Sequence, residues 1–294
     1  MELQGRTKEL QAKGVGLAAI AYDTPEIMAA FSKARGITFP LLADPGSATI
    51  KRFGLLNPLP ALALGPNGKD ADVQEEVRKY VSVVGVRENM IGMSFPGTFL
   101  LDKQGRVTSR HFEDFYIERN TVSALMLRVG SNASAVAGTR IETNHLELTA
   151  YPTDPEIAPG NRFAVALDIK PHKGIHVYAP GSTGYKVIGL TLDEQPWVRP
   201  LPLQFPKSTT YFYKPLKEQV QVYQQPFTLS QEIVLEGTPQ AQQALRGKES
   251  ITINGTLNYQ ACNDRECFNP VAVPVTWKMT LRALIREPLT APKQ

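Results

Sequence analysis

The chain has 294 residues, with 32 Lys+Arg against 28 Asp+Glu, a net charge of +4, two cysteines and two tryptophans. At roughly 100–200 residues per domain this length predicts about two domains, and 42% apolar with 20% charged residues excludes a disordered or collagen-like chain. No apolar run approaches the ~20 residues of a membrane-spanning helix, no Lys/Arg block marks a nucleic-acid partner, and the two cysteines suffice for one redox pair but not for a disulfide scaffold.

From Met1 the chain runs straight into Glu2-Leu3-Gln4-Gly5-Arg6, without the basic-then-apolar pattern of an export signal. Up to about residue 130 strand and helix patterns alternate. The run 16–22 ends at Asp23 and reads as a buried parallel strand. Thr24-Pro25-Glu26 opens a helix, with Thr24 as N-cap and Pro25 at the first helical position, and Gly36 ends it. Residues 38–42 predict a second strand, and Ser47 is expected to cap a short helix through Phe53. A further helix is predicted over 72–80, within a connection opened by Asn57-Pro58-Leu59-Pro60. Residues 99–102 and 106–109 flank Lys103-Gln104-Gly105 as a hairpin, and 118–129 predict a closing helix. The pattern is that of an α/β domain.

Residues 131–142 are mostly small and polar and are expected to form a linker. After them the period changes to two. Phe163, Val165, Leu167 and Ile169 alternate with Ala164, Ala166, Asp168 and Lys170. Odd-numbered positions over 251–259 and 271–281 are apolar in the same way. Such strands with Pro- and Gly-rich turns over 143–283 predict an antiparallel all-β sandwich, and 284–294 read as a tail.

Both cysteines lie in Tyr259-Gln260-Ala261-Cys262-Asn263-Asp264-Arg265-Glu266-Cys267-Phe268-Asn269-Pro270, between two alternating strands. This predicts a hairpin with Cys262 opposite Cys267, at the ~4.5–5.5 Å Cα spacing that suits a disulfide. If the cysteines are opposed, both strands bury their odd-numbered residues only when one extra residue is absorbed between the cysteines and the ladder. Pro270, which has no N–H to give a ladder, suits that bulge. Three readings of the pair stand at this point. It is a redox-active disulfide, a structural bridge whose short loop adds little stability, or half of a zinc site. For the last, His111, His145, His172 and His176 supply no ligand spacing. Arg265, between the cysteines, either favours a thiolate or is a solvated loop charge, and Trp197 and Trp277 are expected in the core.

Residues 143–283 resemble the amino-terminal domain of the DsbD thiol–disulfide interchange family. The resemblance rests on the Tyr-Gln-Ala-Cys start of the hairpin, its second cysteine and the proline that follows. Gly174-Ile175-His176-Val177-Tyr178-Ala179 is also similar to an early strand near that family's active site. The resemblance implies an immunoglobulin-like sandwich outside the cytoplasm. It implies that Cys262 and Cys267 exchange electrons with a thioredoxin-fold or DsbD-type redox partner, with His176, Tyr178 and Tyr259 as neighbours. The loop between the cysteines is one residue shorter here than is usual in that family.

Residues 1–130 resemble a redoxin of the AhpC/TSA peroxiredoxin type, of the thioredoxin fold. The matching text is residues 9–14, Tyr22-Asp23, residues 37–44, residues 95–102 and Gln104-Gly105-Arg106-Val107. In that family the first strand and the catalytic cysteine precede the helix in which this chain begins, and no cysteine stands before 262. Peroxide reduction needs an activated thiolate, so peroxidase activity is not expected from this chain as given. A truncated start is expected, the complete form carrying the missing strand, the cysteine motif and an export signal; a natural binding-only remnant is the alternative. Pro96 resembles the proline of thioredoxin-like proteins whose cis peptide faces a substrate disulfide; otherwise it is an ordinary turn proline. The expected function is thiol–disulfide exchange, with no cofactor beyond the disulfide itself and a periplasmic location for the complete form. A non-catalytic binding module for a redox partner is the alternative.

Overall fold

A computed structural model describes residues 2–81, 85–112, 118–128, 138–213 and 216–282. The chain divides into two compact units, residues 1–122 and 123–294.

The N-terminal unit is α/β. It runs α1 (Glu2–Ala12), β1 (Ala19–Ala21), α2 (Pro25–Arg35), β2 (Leu41–Ala43), α3 (Ala48–Arg52), α4 (Leu59–Leu64), α5 (Ala71–Val81), β3 (Gly97–Leu101), β4 (Val107–Phe112) and β5 (Arg119–Asn120). α2 starts as its sequence predicts. The Thr24 hydroxyl accepts from the Ile27 amide at 3.4 Å, Pro25 needs no N–H there, and Gly36 takes the left-handed conformation that ends the helix. α3 is capped differently from the expectation. Ser47 adopts a positive φ and its hydroxyl donates to the Gly92 carbonyl at 2.6 Å. The Asp44 carboxylate takes the Thr49 and Ile50 amides instead, at 3.1 and 2.8 Å.

β1 and β2 pair in parallel, with Ile20 opposite Leu42. The expected burial of β1 does not hold: these two side chains are 43% and 48% exposed. With only two strands in this sheet, their face lacks a cover among the described residues. β3 and β4 form the predicted hairpin, Gly105 supplying the positive φ of its turn and Asp102 accepting from the Gln104 and Arg106 amides. The Phe95–Pro96 peptide is trans, as are all the described peptide bonds. Pro96 leads directly into β3. The amide of its neighbour Phe95 donates a hydrogen bond to the Leu55 carbonyl at 2.7 Å.

α6 (Val122–Arg128) is the closing helix, starting four residues later than predicted because Arg119–Asn120 is extended. Residues 129, 131–137 and 284–294, covering the end of that predicted helix, most of the expected linker and the tail, lie outside the described residues. Thr139–Glu142, assigned to the linker by its composition, forms strand β6 and pairs with β7 (Leu146–Pro152).

The second unit is an immunoglobulin-like β-sandwich. One sheet has the order β12 (Val198–Gln204), β15 (Phe227–Leu235), β9 (Asn161–Pro171), β7, β6. The facing sheet has the order β11 (Gly189–Leu192), β16 (Ser250–Tyr259), β18 (Val271–Leu281), β8 (Glu156–Ile157). On β16 and β18 the odd-numbered residues face inward, as their period of two predicts. Phe163, Leu167, Ile253, Leu257 and Trp277 lie in the shared core, and the Trp277 indole donates across it to the Ala166 carbonyl at 3.2 Å. A third sheet continues one end of the sandwich in the order β13 (Thr209–Tyr213), β14 (Glu218–Tyr223), β10 (His176–Tyr178), β17 (Ala261–Cys262). The final α-helix, α7 (Pro239–Leu245), is capped by Thr238.

Candidate functional site

The third sheet carries the cysteines. Past Tyr259 the chain of β16 steps out at Gln260 and continues as β17 beside β10, with Ala261 opposite Val177 and Cys262 opposite His176. Cys262 and Cys267 oppose each other and are joined by a disulfide, their Cα atoms 4.1 Å apart. The four residues between them close on a side-chain turn. The Asn263 carboxamide oxygen accepts from the Arg265 and Glu266 amides at 2.8 and 2.9 Å, and the Asn263 amide donates to the Glu266 carbonyl at 3.0 Å.

The register holds the bulge that the parity of the two strands requires. Phe268 donates to the Ala261 carbonyl at 2.9 Å, whereas Tyr259 already opposes Val271. Asn269 and Pro270 thus stand against Gln260 alone. Pro270 forfeits no ladder hydrogen bond there, and the Gln260 amide side chain reaches the Phe268 carbonyl at 3.1 Å.

The two cysteines differ in exposure: Cys262 is fully buried, while Cys267 is exposed. Around them stands a shell of tyrosines. A disulfide sulfur has no hydrogen to give, so the Tyr178 hydroxyl donates, lying 3.0 Å from Cys262 Sγ and 3.3 Å from Cys267 Sγ. Tyr185 stacks on Tyr178 with ring centroids 3.9 Å apart, and its hydroxyl donates to Glu218. The Tyr213 hydroxyl is 3.8 Å from Cys267 Sγ. Tyr211, on the same strand, donates to the Asp264 carboxylate in the cysteine loop at 2.6 Å.

Burial, with Tyr185, Tyr213 and Glu218 adding to it, pushes the Tyr178 hydroxyl far above the ordinary phenol range, so it remains a donor at any working pH. His176 is 2% exposed and its ring lies 4.6 Å from that of Tyr211. Burial lowers its pKa, the Asp264 charge opposing, so the imidazole is neutral at pH 7.

Of the residues singled out in the sequence, Cys262, Cys267, His176 and Tyr178 come together. Arg265 is exposed in the loop and makes no ion pair among the described residues. Tyr259 is a core residue: its hydroxyl meets Thr143 at 3.0 Å and the His145 ring at 3.4 Å rather than the sulfurs. Pro96 belongs to the N-terminal unit. Tyr185, Tyr211, Tyr213, Glu218 and Asp264 escape the sequence reading. The Tyr211-Phe212-Tyr213 triplet was the available signal, since aromatic side chains at i and i+2 of a strand share one face. Away from the cysteines, ligand atoms of Glu142, Glu147 and His172 lie within 4.8 Å of one another. Lys170 occupies Glu147 at 2.9 Å and His172 pairs with Glu142 at 2.9 Å.

Comparison with known proteins agrees with this division. Residues 1–110 match the AhpC/TSA family. Residues 148–276 match the family described as thiol:disulfide interchange protein DsbD, N-terminal. Among solved structures, the chain is similar to the N-terminal periplasmic domain of ScsB from Proteus mirabilis, with 11% identity over 49% of this chain and 51% of that one, and a TM-score of 0.34. It is also similar to the SrpA adhesin from Streptococcus sanguinis, with 14% identity over 49% of this chain and 59% of that one, and a TM-score of 0.24. The chain thus spans a little over half the length of each structure that it matches. No curated protein matches it. No helix among the described residues is long and apolar enough to cross a membrane. Residues 1–110 thus match the AhpC/TSA family and residues 148–276 the DsbD N-terminal family, which is the fusion that the sequence resemblance implies.

Proposed function

We propose that the sandwich exchanges electrons with a thioredoxin-fold partner through the Cys262–Cys267 disulfide, with Cys267 as the point of entry. The observation that carries this reading is the asymmetry of the pair: one sulfur belongs to a buried cysteine and the other to an exposed one, at the irregular end of a hairpin. A bridge that closes so short a loop adds little to a sandwich with its own core, which favours a chemical role over a structural one.

The exchange follows from that geometry. A partner thiolate attacks Cys267 Sγ, the new S–S bond forms, and the Cys262–Cys267 bond breaks with Cys262 leaving as a thiolate. The Tyr178 hydroxyl, already 3.0 Å from Cys262 Sγ, supports that thiolate with a charge-assisted hydrogen bond. The partner's second thiolate then attacks the partner sulfur of the mixed disulfide and releases Cys267. Two electrons and two protons pass to the domain, and no cofactor beyond the disulfide is needed. A disulfide persists in an oxidising compartment, which supports a periplasmic site for this domain. No cysteine lies within residues 1–261, so the thiol chemistry proposed for these 294 residues is confined to the Cys262–Cys267 pair.

The test is equilibration of the chain in glutathione buffers, with the oxidised fraction read by mass after alkylation, followed by mixing with reduced thioredoxin. A potential above about −300 mV and transfer of electrons from thioredoxin are expected. A lower potential, or no transfer, would mark a structural bridge. In that case the chain is a binding module, and replacing both cysteines by serine would leave partner binding unchanged.

A further inference from the structure

His176 stands beside the disulfide with a buried ring nitrogen, Nε2, that has no hydrogen-bond partner. It is the antiparallel partner of Cys262, and such a pair sends both side chains to one face with Cβ atoms ~4.5–5.5 Å apart. Tyr178 and Tyr211 flank the ring at centroid distances of 5.7 and 4.6 Å, and Tyr213 closes the far side at 6.4 Å. Burying a polar atom unpaired is costly, and in the disulfide form the neighbouring Cys262 sulfur has no hydrogen to give it; on reduction that sulfur gains one.

We propose that His176 accepts the proton of the Cys262 thiol in the step that re-forms the disulfide. The proposal rests on the exchange reading above and names the group that enables one half of it. With a partner sulfur bonded to Cys267, the Cys262 S–H gives its proton to the imidazole. The sulfur's electron pair attacks Cys267 Sγ, the Cys262–Cys267 bond forms, and the partner departs as a thiolate. Cys262 and Cys267 are thereby oxidised to the disulfide, while the partner's former disulfide has become two thiols. The imidazolium passes its proton on to the departing thiolate or to water.

The need for a base comes from burial. A thiol with the exposure of Cys262 forms little thiolate by itself at neutral pH. The imidazole is suited to the task because the same burial keeps it neutral and able to accept. Once charged, it lies against aromatic rings and within the field of Asp264. The titratable groups facing it are Tyr178 on β10, Cys262 on β17, Asp264 in the loop, and Tyr211 and Tyr213 on β13. Glu218 on β14 stands behind them through Tyr185, and Arg265 and Glu266 are exposed on the loop.

The test uses the reduced 294-residue chain and glutathione disulfide. Samples quenched in acid from about pH 6 to about pH 9 are resolved by mass into reduced, glutathionylated and reoxidised forms. The wild-type step from glutathionylated to reoxidised chain is expected to change little with pH above neutrality. In His176→Phe, which keeps an aromatic ring in the slot, that step is expected to be about tenfold or more slower near pH 7 and to recover as pH approaches the thiol's own pKa. His176→Gln, read in the same way, guards against a phenylalanine variant that fails to fold by circular dichroism. A wild-type profile in the variants, or a loss of equal size at every pH, overturns the assignment. Failure of the wild-type chain to form either the glutathionylated or the reoxidised species overturns the exchange reading itself, and appears as a chain that stays reduced.

Discussion

Tyr211 donates its hydroxyl to Asp264, and this bond ties the hairpin of β13 and β14 to the loop between the cysteines. The contact holds the loop beside Cys267, so on the exchange reading the tie is expected to restrain access to the disulfide. In Tyr211→Phe the ring still packs on His176 but the tie is gone. Reduction of the disulfide by dithiothreitol, followed by stopped flow, is expected to become about two- to tenfold faster. An unchanged or slower rate would remove the hairpin from any role in access.

The same bond sets a pH dependence at the alkaline end. The hydrogen bond to Asp264, with burial and the Asp264 charge adding to it, pushes the Tyr211 pKa from 10.0 up to about 12. The raised value favours the neutral phenol in the folded chain. Its stabilising contribution is therefore complete below pH 10 and is lost as pH climbs from 10 towards 12. Urea denaturation across that window is expected to show a shallower decline for Tyr211→Phe than for the wild type; parallel declines would contradict it.

The unequal exposure of the cysteines predicts unequal reactivity. In Cys262→Ser the remaining thiol is the exposed Cys267, and in Cys267→Ser it is the buried Cys262. Alkylation of the folded chains by iodoacetamide is expected to be at least about tenfold faster in the first variant. Equal rates would show that both sulfurs are open to attack.

Tyr178→Phe removes the hydroxyl shared by the two sulfurs while leaving its ring stacked on Tyr185. A hydrogen bond to a charged group is worth about 1.5–3 kcal/mol, which raises the pKa of the thiol that it served by about 1–2. The pH profile of alkylation of the reduced chain is expected to move upward by that amount. A profile that stays in place would make Tyr178 a packing residue only.

In the N-terminal unit, Asp44 holds the first amides of α3. The backbone bond from Ile50 foremost, then those from Thr49, hold its carboxyl below the usual 3.8. A lowered pKa means that the contribution is present above pH 4 and fades as the acid range is entered. Asp44→Ala is expected to lower the melting temperature of this unit at pH 7, with the difference from wild type shrinking below about pH 4. A difference that persists at low pH would assign the effect to packing instead.

What the sequence makes legible is local and periodic. The inward odd-numbered residues of β16 and β18, the cap at Thr24 and the turn at Gly105 each follow from neighbours a few positions apart. So does the bulge before Val271, because the parity of two strands around Cys262 and Cys267 admits no other solution. Ser47 misleads for an equally physical reason. It stands where an N-cap belongs, but its positive φ turns the hydroxyl to Gly92 and leaves the amides to Asp44. The four residues of β6, Thr139-Arg140-Ile141-Glu142, are too few to establish a period, and pairing with β7 makes them a strand. The tyrosine shell is the least legible part. Tyr178, Tyr185, Tyr211 and Tyr213 come from segments far apart in the chain, and only the order of the third sheet gathers them.

The step in which Asn269 and Pro270 face Gln260 alone also has a mechanical consequence. It separates the tip of the ribbon from the long ladder of β16 and β18, so a rearrangement at the sulfurs is expected to end at the proline. On the exchange reading, the sandwich core is expected to keep one shape in both oxidation states, the outermost turn alone recording whether electrons have been delivered.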